Sequence, residues 1–377
     1  MRIRYFLLSL LLFFTAMAVA EDGPGHECTS WLAFSDLTKN NTNLLHKNRD
    51  SKSRDVIVLL SNKNARYKWV GLGGVAPGQD DGCPCMGINE AGLAGVMNSG
   101  EKCTDNSTNP KGKDTTIIMK AILATCSNVD EALEMLKDFV KVNDYNHGES
   151  GSIFFFMDKN AAYIVEMTAH FISPIRYEHG YAFRANIWRN PGMAAYSVGT
   201  VKSYLDSSNR EYELRTALNN TLKDKGKLTV EDFLEMSRMY KMDDTPIDRR
   251  VCSKYTNSSS TLEIDREYPA QLSTAYVLIG PPRNTICIPI PVCVKSVPQT
   301  MLNHEWVNVT WKRFDEKGGQ ADIPQEWLDF EKKSFTEYHE AKDKARTLLK
   351  GNKVKEAEAL LQDAATKIWN GAAKLLM

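Results

Sequence analysis

Short apolar runs separated by turns rich in Gly, Pro and Asn fill the first third of the chain, a pattern that predicts strands before helices. Residues 29–34 and 43–46 read as two strands joined through the polar turn 36–41, a natural hairpin. Residues 56–60 and 67–70 are further strand-like runs, and 71–87, with its glycines and prolines, reads as loop. The segment from Gly87 to Ser99 predicts turn, strand and loop, with glycines where backbone can approach a site closely. Helical spacing begins at residue 115. Residues 115–126 and 129–140 predict two helices, the second placing Val129, Leu133, Leu136 and Val140 on one face, with Asn128 and Glu131 as a capping pair.

Strands 152–157 and 161–167 flank Asp158-Lys159-Asn160 as a hairpin, and 171–176 with 181–185 predict a second. Helices are expected over 211–222 and 230–240, and strands over 273–279 and 285–290 around Pro281-Pro282. From about residue 323 the composition shifts to Lys, Glu, Ala and Leu, and 324–349 and 353–375 read as two amphipathic helices split at Gly351. Blocks of strands and blocks of helices, without strict βαβ alternation, predict an α+β fold in which sheet packs on sheet with helices outside.

With 377 residues, 42% of them hydrophobic, the chain can bury a full core as one large domain or two ordinary ones. Charge balances at 47 basic against 47 acidic residues, which speaks against nucleic acid or a membrane surface as partner. The first twenty residues carry Arg2 and Arg4, an apolar stretch, and Ala18-Val19-Ala20, the pattern of a cleaved signal peptide. No later apolar run is long enough to span a membrane. The expected organisation is a signal peptide at 1–20, a short propeptide at 21–27, and an exported mature chain. Eight cysteines are too few for a disulfide scaffold in a chain this long, although one or two bridges are expected. Cys83-Pro84-Cys85 lacks a second Cys/His pair at zinc-like spacing, so a loop bridge or buried thiols are expected there, and no metal or cofactor. Asn-x-Ser/Thr sequons begin at Asn40, Asn106, Asn219, Asn257 and Asn308.

The chemistry starts at Cys28, which opens the first strand directly after the polar stub ending in Glu27. A cysteine at a chain's first residue has a base built in. An unperturbed α-amine titrates near ~7.7–8.0, so it can take the thiol proton itself or through a water, as in the threonine and N-terminal amine arrangement. No histidine is then needed. For a Cys–His alternative, His46 is the best candidate, and none of the histidines sits in a recognisable catalytic motif.

Cys28-Thr29, Lys47-Asn48-x-Asp50, Gly87-x-Asn89-Glu90-x-Gly92-Leu93, Asn98 and Arg184-Ala185-Asn186 follow one another in that order. Together they resemble the N-terminal nucleophile (Ntn) hydrolases, and more narrowly the choloylglycine hydrolase and acyl-CoA:isopenicillin N acyltransferase-like group, from Cys28 to about residue 294. The resemblance implies a four-layer αββα sandwich over 28–320 with a C-terminal helical extension over 321–377. It implies Cys28 as nucleophile, exposed by self-cleavage after Glu27, and Asp50 as the aspartate that holds its amine or thiol. It implies Asn98 and Asn186 as oxyanion donors, where one N–H is worth ~2.7–4 kcal/mol, and Arg210 as a downstream site arginine with Arg215 competing. The bile-salt branch has an arginine three residues before the aspartate. Lys47 stands there in this chain, keeping the charge without the planar fork, with Arg49 as the other candidate cation. Strand alternation is expected to admit only one of the two to the site. Asn98 also lies one residue nearer Asn89 than in that branch.

The implied reaction splits a linear, non-peptide amide, a small N-acyl amide, through a thioester on Cys28. An amine that intercepted the thioester would make the chain an acyltransferase, although export disfavours a cytosolic acyl-CoA donor. A ceramidase-like or phospholipase-like amidase, a C69-type dipeptidase, and an uncleaved, inactive binding protein stay open, as does self-association into a homo-oligomer.

Overall fold

Every residue of the run 28–33 is buried, so the strand it forms must be covered on both faces. In the computed structural model, which describes residues 28–74, 82–107, 109–241 and 250–377, that strand, β1 (Cys28–Ala33), sits within a six-stranded antiparallel sheet. The other members are β2 (Thr42–Asp50), β10 (Tyr181–Arg184), β11 (Thr256–Asp265), β12 (Thr274–Ile279) and β13 (Ile288–Pro291), in the order β10-β1-β2-β11-β12-β13. A second sheet has seven antiparallel strands in chain order: β3 (Ile57–Leu60), β4 (Trp69–Gly74), β5 (Cys83–Asn89), β6 (Ala94–Lys102), β7 (Ser150–Met157), β8 (Ala162–Met167) and β9 (Ile172–Tyr177). The sheets stack face to face, β1 and β2 over β6, and β11 over β5.

Helices close both outer faces. Over the second sheet, α1 (Thr115–Thr125) lies on β5 and β6, and α2 (Val129–Lys141) on β8. Asn128 caps α2 by accepting from the Asp130 and Glu131 N–H groups. Over the first sheet, α3 (Val201–Lys225) borders β10, and α4 (Val230–Ser237) covers β2 and β11. The same face carries α5 (Glu305–Glu316), α6 (Gln325–Lys350) and α7 (Val354–Leu376). The result is helix, sheet, sheet, helix, the expected α+β layering.

The C-terminal helices are fastened to the sheet by buried polar groups. Glu331 on α6 takes a two-pronged ion pair from Arg238 (2.7 and 2.8 Å) and also accepts the Cys287 N–H (2.6 Å). Lys342 reaches Glu263 of β11, Arg346 reaches Asp265, and Trp369 Nε1 donates to the Pro289 carbonyl. Residues beyond 321 therefore supply part of the outer helical layer on the sheet that contains β1.

Several elements depart from the sequence reading. Residues 71–87, expected as loop, contain most of β4 and β5. Their glycines mark places where strands come too close for a side chain: a Cβ on Gly73 would stand 2.0 Å from the Cys83 carbonyl oxygen. Helix α3 begins ten residues before its expected start, because Thr200 and Ser203 form a capping box ahead of a serine-rich first half. Two elements had no sequence signal at all, β11 and α5. Among the described residues no disulfide links the eight cysteines, all of which are buried, and no helix is long and apolar enough to cross a membrane. The expected signal peptide and propeptide lie outside the described residues.

Candidate active site

The pairing of β1 decides which side chains meet. Cys28 lies opposite Arg49, and Ser30 lies opposite both Lys47 of β2 and Arg184 of β10. Cys28, Ser30 and Lys47 therefore point between the sheets, while Thr29 and Trp31 point to the helices. Continuing the Ser30–Arg184 register by two residues brings Asn186 alongside Cys28.

Asn186 Oδ1 accepts the Cys28 N–H at 2.8 Å and Arg210 Nη2 at 3.0 Å, and its amide nitrogen donates to the Ser99 carbonyl at 2.7 Å. Arg210, fully buried on α3, donates to the Cys28 carbonyl (2.7 Å) and to Thr29 Oγ1 (2.8 Å), and Asp206 one turn earlier holds its other edge (2.8 and 3.1 Å). Both main-chain polar groups of Cys28 are thus gripped from one side.

Asn98 reaches across from β6. Its Oδ1 accepts from Ser30 Oγ (2.8 Å) and Lys47 Nζ (3.0 Å), and its amide nitrogen donates to the carbonyls of Arg184 (3.3 Å) and Ala185 (3.1 Å). Lysine and arginine only donate, so the oxygens of Asn98 and Asn186 must face Lys47 and Arg210. Both amide hydrogens of Asn98 are committed to backbone. Asn186 sits closer to the nucleophile candidate, with its oxygen on the Cys28 N–H and its amide nitrogen on the Ser99 carbonyl.

Lys47 and Arg49 are two residues apart and so share a face of β2; alternation does not separate them, contrary to expectation. Position does. Lys47 is fully buried and joined to Asn98, whereas Arg49, at the strand's end, donates to the Asp55 carbonyl (3.2 Å). Of the two candidate arginines, Arg210 is buried against Cys28, whereas Arg215 is exposed. His46 faces the opposite way, stacked on Trp31 at 3.9 Å and held between Thr261 and Asn48. Burial drops its pKa to about 3, so it is a neutral core residue.

Asp50 ends β2, where β11 bulges between Thr256 and Ser258 and so turns Thr256 Oγ1 onto the carboxylate (2.6 Å), with Ser253 Oγ at 3.2 Å. Burial pushes the Asp50 carboxyl up to about 7, against the pull of the Arg210 charge. Between its ordinary value near 3.8 and about 7 the folded chain holds a proton that the unfolded chain releases, so stability falls as pH rises through that window. The full difference is on the order of 4 kcal/mol. Asp50→Asn, which cannot ionise, is expected to flatten this slope. Urea midpoints of both chains across the window check it, and parallel slopes would refute it.

Sequence reasoning missed two carboxylates. Asp206, four residues before Arg210, was hidden by the late start assigned to α3; an i, i+4 pair is legible once the helix is extended. Glu211, beside Arg210, accepts the Ala185 N–H (3.1 Å) and pairs with Arg189 (2.8 Å), which steadies the segment bearing Asn186.

A family model described as acyl-coenzyme A:6-aminopenicillanic acid acyl-transferase matches residues 37–264. That span includes Lys47, Asp50, Asn98, Asn186 and Arg210 and begins after Cys28. Among solved structures, a substituted form of the conjugated bile acid hydrolase from Clostridium perfringens superposes with a TM-score of 0.50 at 14% identity, covering 70% of this chain and 92% of that one. The penicillin V acylase from Agrobacterium tumefaciens gives 0.45 at 13% identity, covering 70% and 86%. The first of these likenesses identifies the layered sandwich as the Ntn-hydrolase fold. No curated protein sequence matches the chain.

Proposed function

This chain belongs to the acyl-coenzyme A:6-aminopenicillanic acid acyl-transferase family, and on that premise we propose that it is an exported cysteine Ntn hydrolase of linear N-acyl amides. The observation that carries the reading is the grip on Cys28: its nitrogen on Asn186 Oδ1 and its carbonyl on Arg210, at the first residue of a buried strand. In the full-length sequence that nitrogen is the amide of the Glu27–Cys28 bond. Attack of the Cys28 thiol on the Glu27 carbonyl, followed by hydrolysis of the resulting thioester, frees it as an α-amine still facing Asn186.

The amine then takes the thiol proton, the sulfur attacks the substrate carbonyl, and the side-chain amide of Asn186, held beside Cys28, turns to the developing oxyanion. The leaving amine departs with the proton returned by the α-amine, and water cleaves the thioester to release the acid. Lys47 holds Asn98, and Asn98 holds the Arg184–Ala185 backbone next to Asn186, so both act by positioning.

The matched family's own description favours a second reading, in which an amine replaces water and the product is a new amide. The testing experiment is the N-terminal sequence of the protein from an export-competent host, with a panel of N-acyl amides assayed for released amine with and without a nucleophilic amine. A chain beginning at Cys28 that releases amine supports the hydrolase. Accumulation of a new amide supports the transferase. A chain beginning at Glu21 that releases nothing overturns both and leaves a binding protein.

A further inference from the structure

Arg215 lies five residues beyond Arg210 on α3, on the exposed side of the helix. Its guanidinium stands over the Phe183 ring, 5.4 Å from the centroid, in an open groove of about 620 Å³ between α3 and the edge strand β10. That volume lies within the ~300–1,000 Å³ of small-molecule sites. Tyr181 and Phe183, stacked with centroids 6.2 Å apart, form an aromatic wall. Three guanidinium groups line the groove, and two are committed. Arg184 pairs with Glu166 (3.2 Å), and Arg189 pairs with Glu211 (2.8 Å). Arg215 has no carboxylate partner among the described residues.

The groove adjoins the nucleophile. Phe183 and Arg184 pair with Trp31 and Ser30 of β1. Glu211, on the opposite wall, holds the Ala185 N–H next to Asn186. Arg184 and Ala182 share the Cys28 face of the sheet while Phe183 and Tyr181 lie on the helix face, so a substrate with its reacting carbonyl at Cys28 reaches the aromatic wall around the outer edge of β10. Stacking on Phe183 occupies one face of the Arg215 guanidinium and leaves the in-plane N–H edge open, the edge that takes a carboxylate in two parallel bonds.

We propose that this groove binds the carboxylate-bearing end of the substrate, an acid on an aryl or alkyl body, with Arg215 as its counter-charge. The inference rests on the reading of Cys28 as nucleophile, which makes the groove a subsite, but the binding it predicts needs no turnover. The test is calorimetric titration of the full-length Cys28→Ala chain with 4-phenylbutyrate and with 4-phenylbutyramide. The carboxylate is expected to bind at least about tenfold more tightly, as a charge-assisted pair replacing a neutral one requires. Arg215→Gln is expected to erase the gap and Arg215→Lys to keep part of it. Equal binding of the two probes, or a gap that survives Arg215→Gln, overturns the proposal. In turnover by the wild-type chain, the KM of a distal-acid amide is expected below that of its carboxamide twin, and Arg215→Gln is expected to bring the two together. If the probes are discriminated but no amide is cleaved, the groove stands and the hydrolase reading fails. If amides are cleaved without discrimination, the groove alone fails.

Discussion

Cys28→Ala is expected to yield a chain that keeps residues 21–27 and releases no amine from any N-acyl amide. The sulfur attacks both the Glu27 carbonyl and the substrate in this mechanism, so one atom's removal stops processing and turnover together. Activity should fall at least about 10⁴-fold, as when a nucleophile is removed from a cooperating catalytic set. The fold should survive. The contacts that hold residue 28 run through its main chain, to Asn186 and Arg210, and alanine keeps both groups. Intact mass, released amine and a urea titration check the three parts. Amine release by the alanine chain at the wild-type rate would place the nucleophile elsewhere. Adding to the chain a Cys28→Ser comparison, which keeps an attacking atom with a far less acidic proton, should give slow processing rather than none.

The second large effect is expected at Arg210. Its guanidinium, without measurable exposure, meets Asp206, the Cys28 carbonyl, Thr29 and Asn186. Arg210→Ala would break the buried pair with Asp206 by removing one partner, at a cost of about 3–5 kcal/mol. Asn186 would lose the donor that orients its oxygen. Arg210→Lys keeps the charge without the fork and should retain only part of the stability. A double change, Arg210→Met with Asp206→Leu, separates structure from chemistry. Without either charge the site can pack as an apolar core, so most of the stability should return while turnover does not. Recovery of turnover in the double variant would show that Arg210 serves the fold alone.

Much of this site was legible before any coordinates, because strand parity and order carry it. Once Cys28 opens a strand and Lys47 and Asp50 end the next, a hairpin places them near one another. The layering also followed from runs of strands and helices. What escaped has physical reasons. The strand β11 reads Thr-Asn-Ser-Ser-Ser-Thr-Leu-Glu-Ile-Asp, buried at all ten positions yet without apolar alternation over its first half. Its neighbours β2 and β12 impose the extended form, not its own side chains. β4 and β5 were obscured by the glycines that let them approach. The first turns of α3, rich in Ser and Asn, have weak helix propensity, and with them went Asp206, the partner that explains Arg210. The parity argument over Lys47 and Arg49 failed because the two share a face, and only their depth along β2 distinguishes them. The side-chain amides were beyond sequence altogether: which carbonyls the Asn98 and Asn186 amides meet depends on a strand and a loop that no spacing rule joins.

The residues that grip Cys28 stand far from it along the chain, Asn186 158 positions later and Arg210 182 positions later. At synthesis rates of ~5–20 residues per second, the cysteine is made on the order of 10–40 s before its last partner exists. Local contacts cannot assemble the site early, and pairing between such distant strands is intrinsically slow. Under the proposed self-cleavage, chain order itself would protect the bond after Glu27 during biosynthesis, and a truncated product lacking α3 is expected to persist unprocessed.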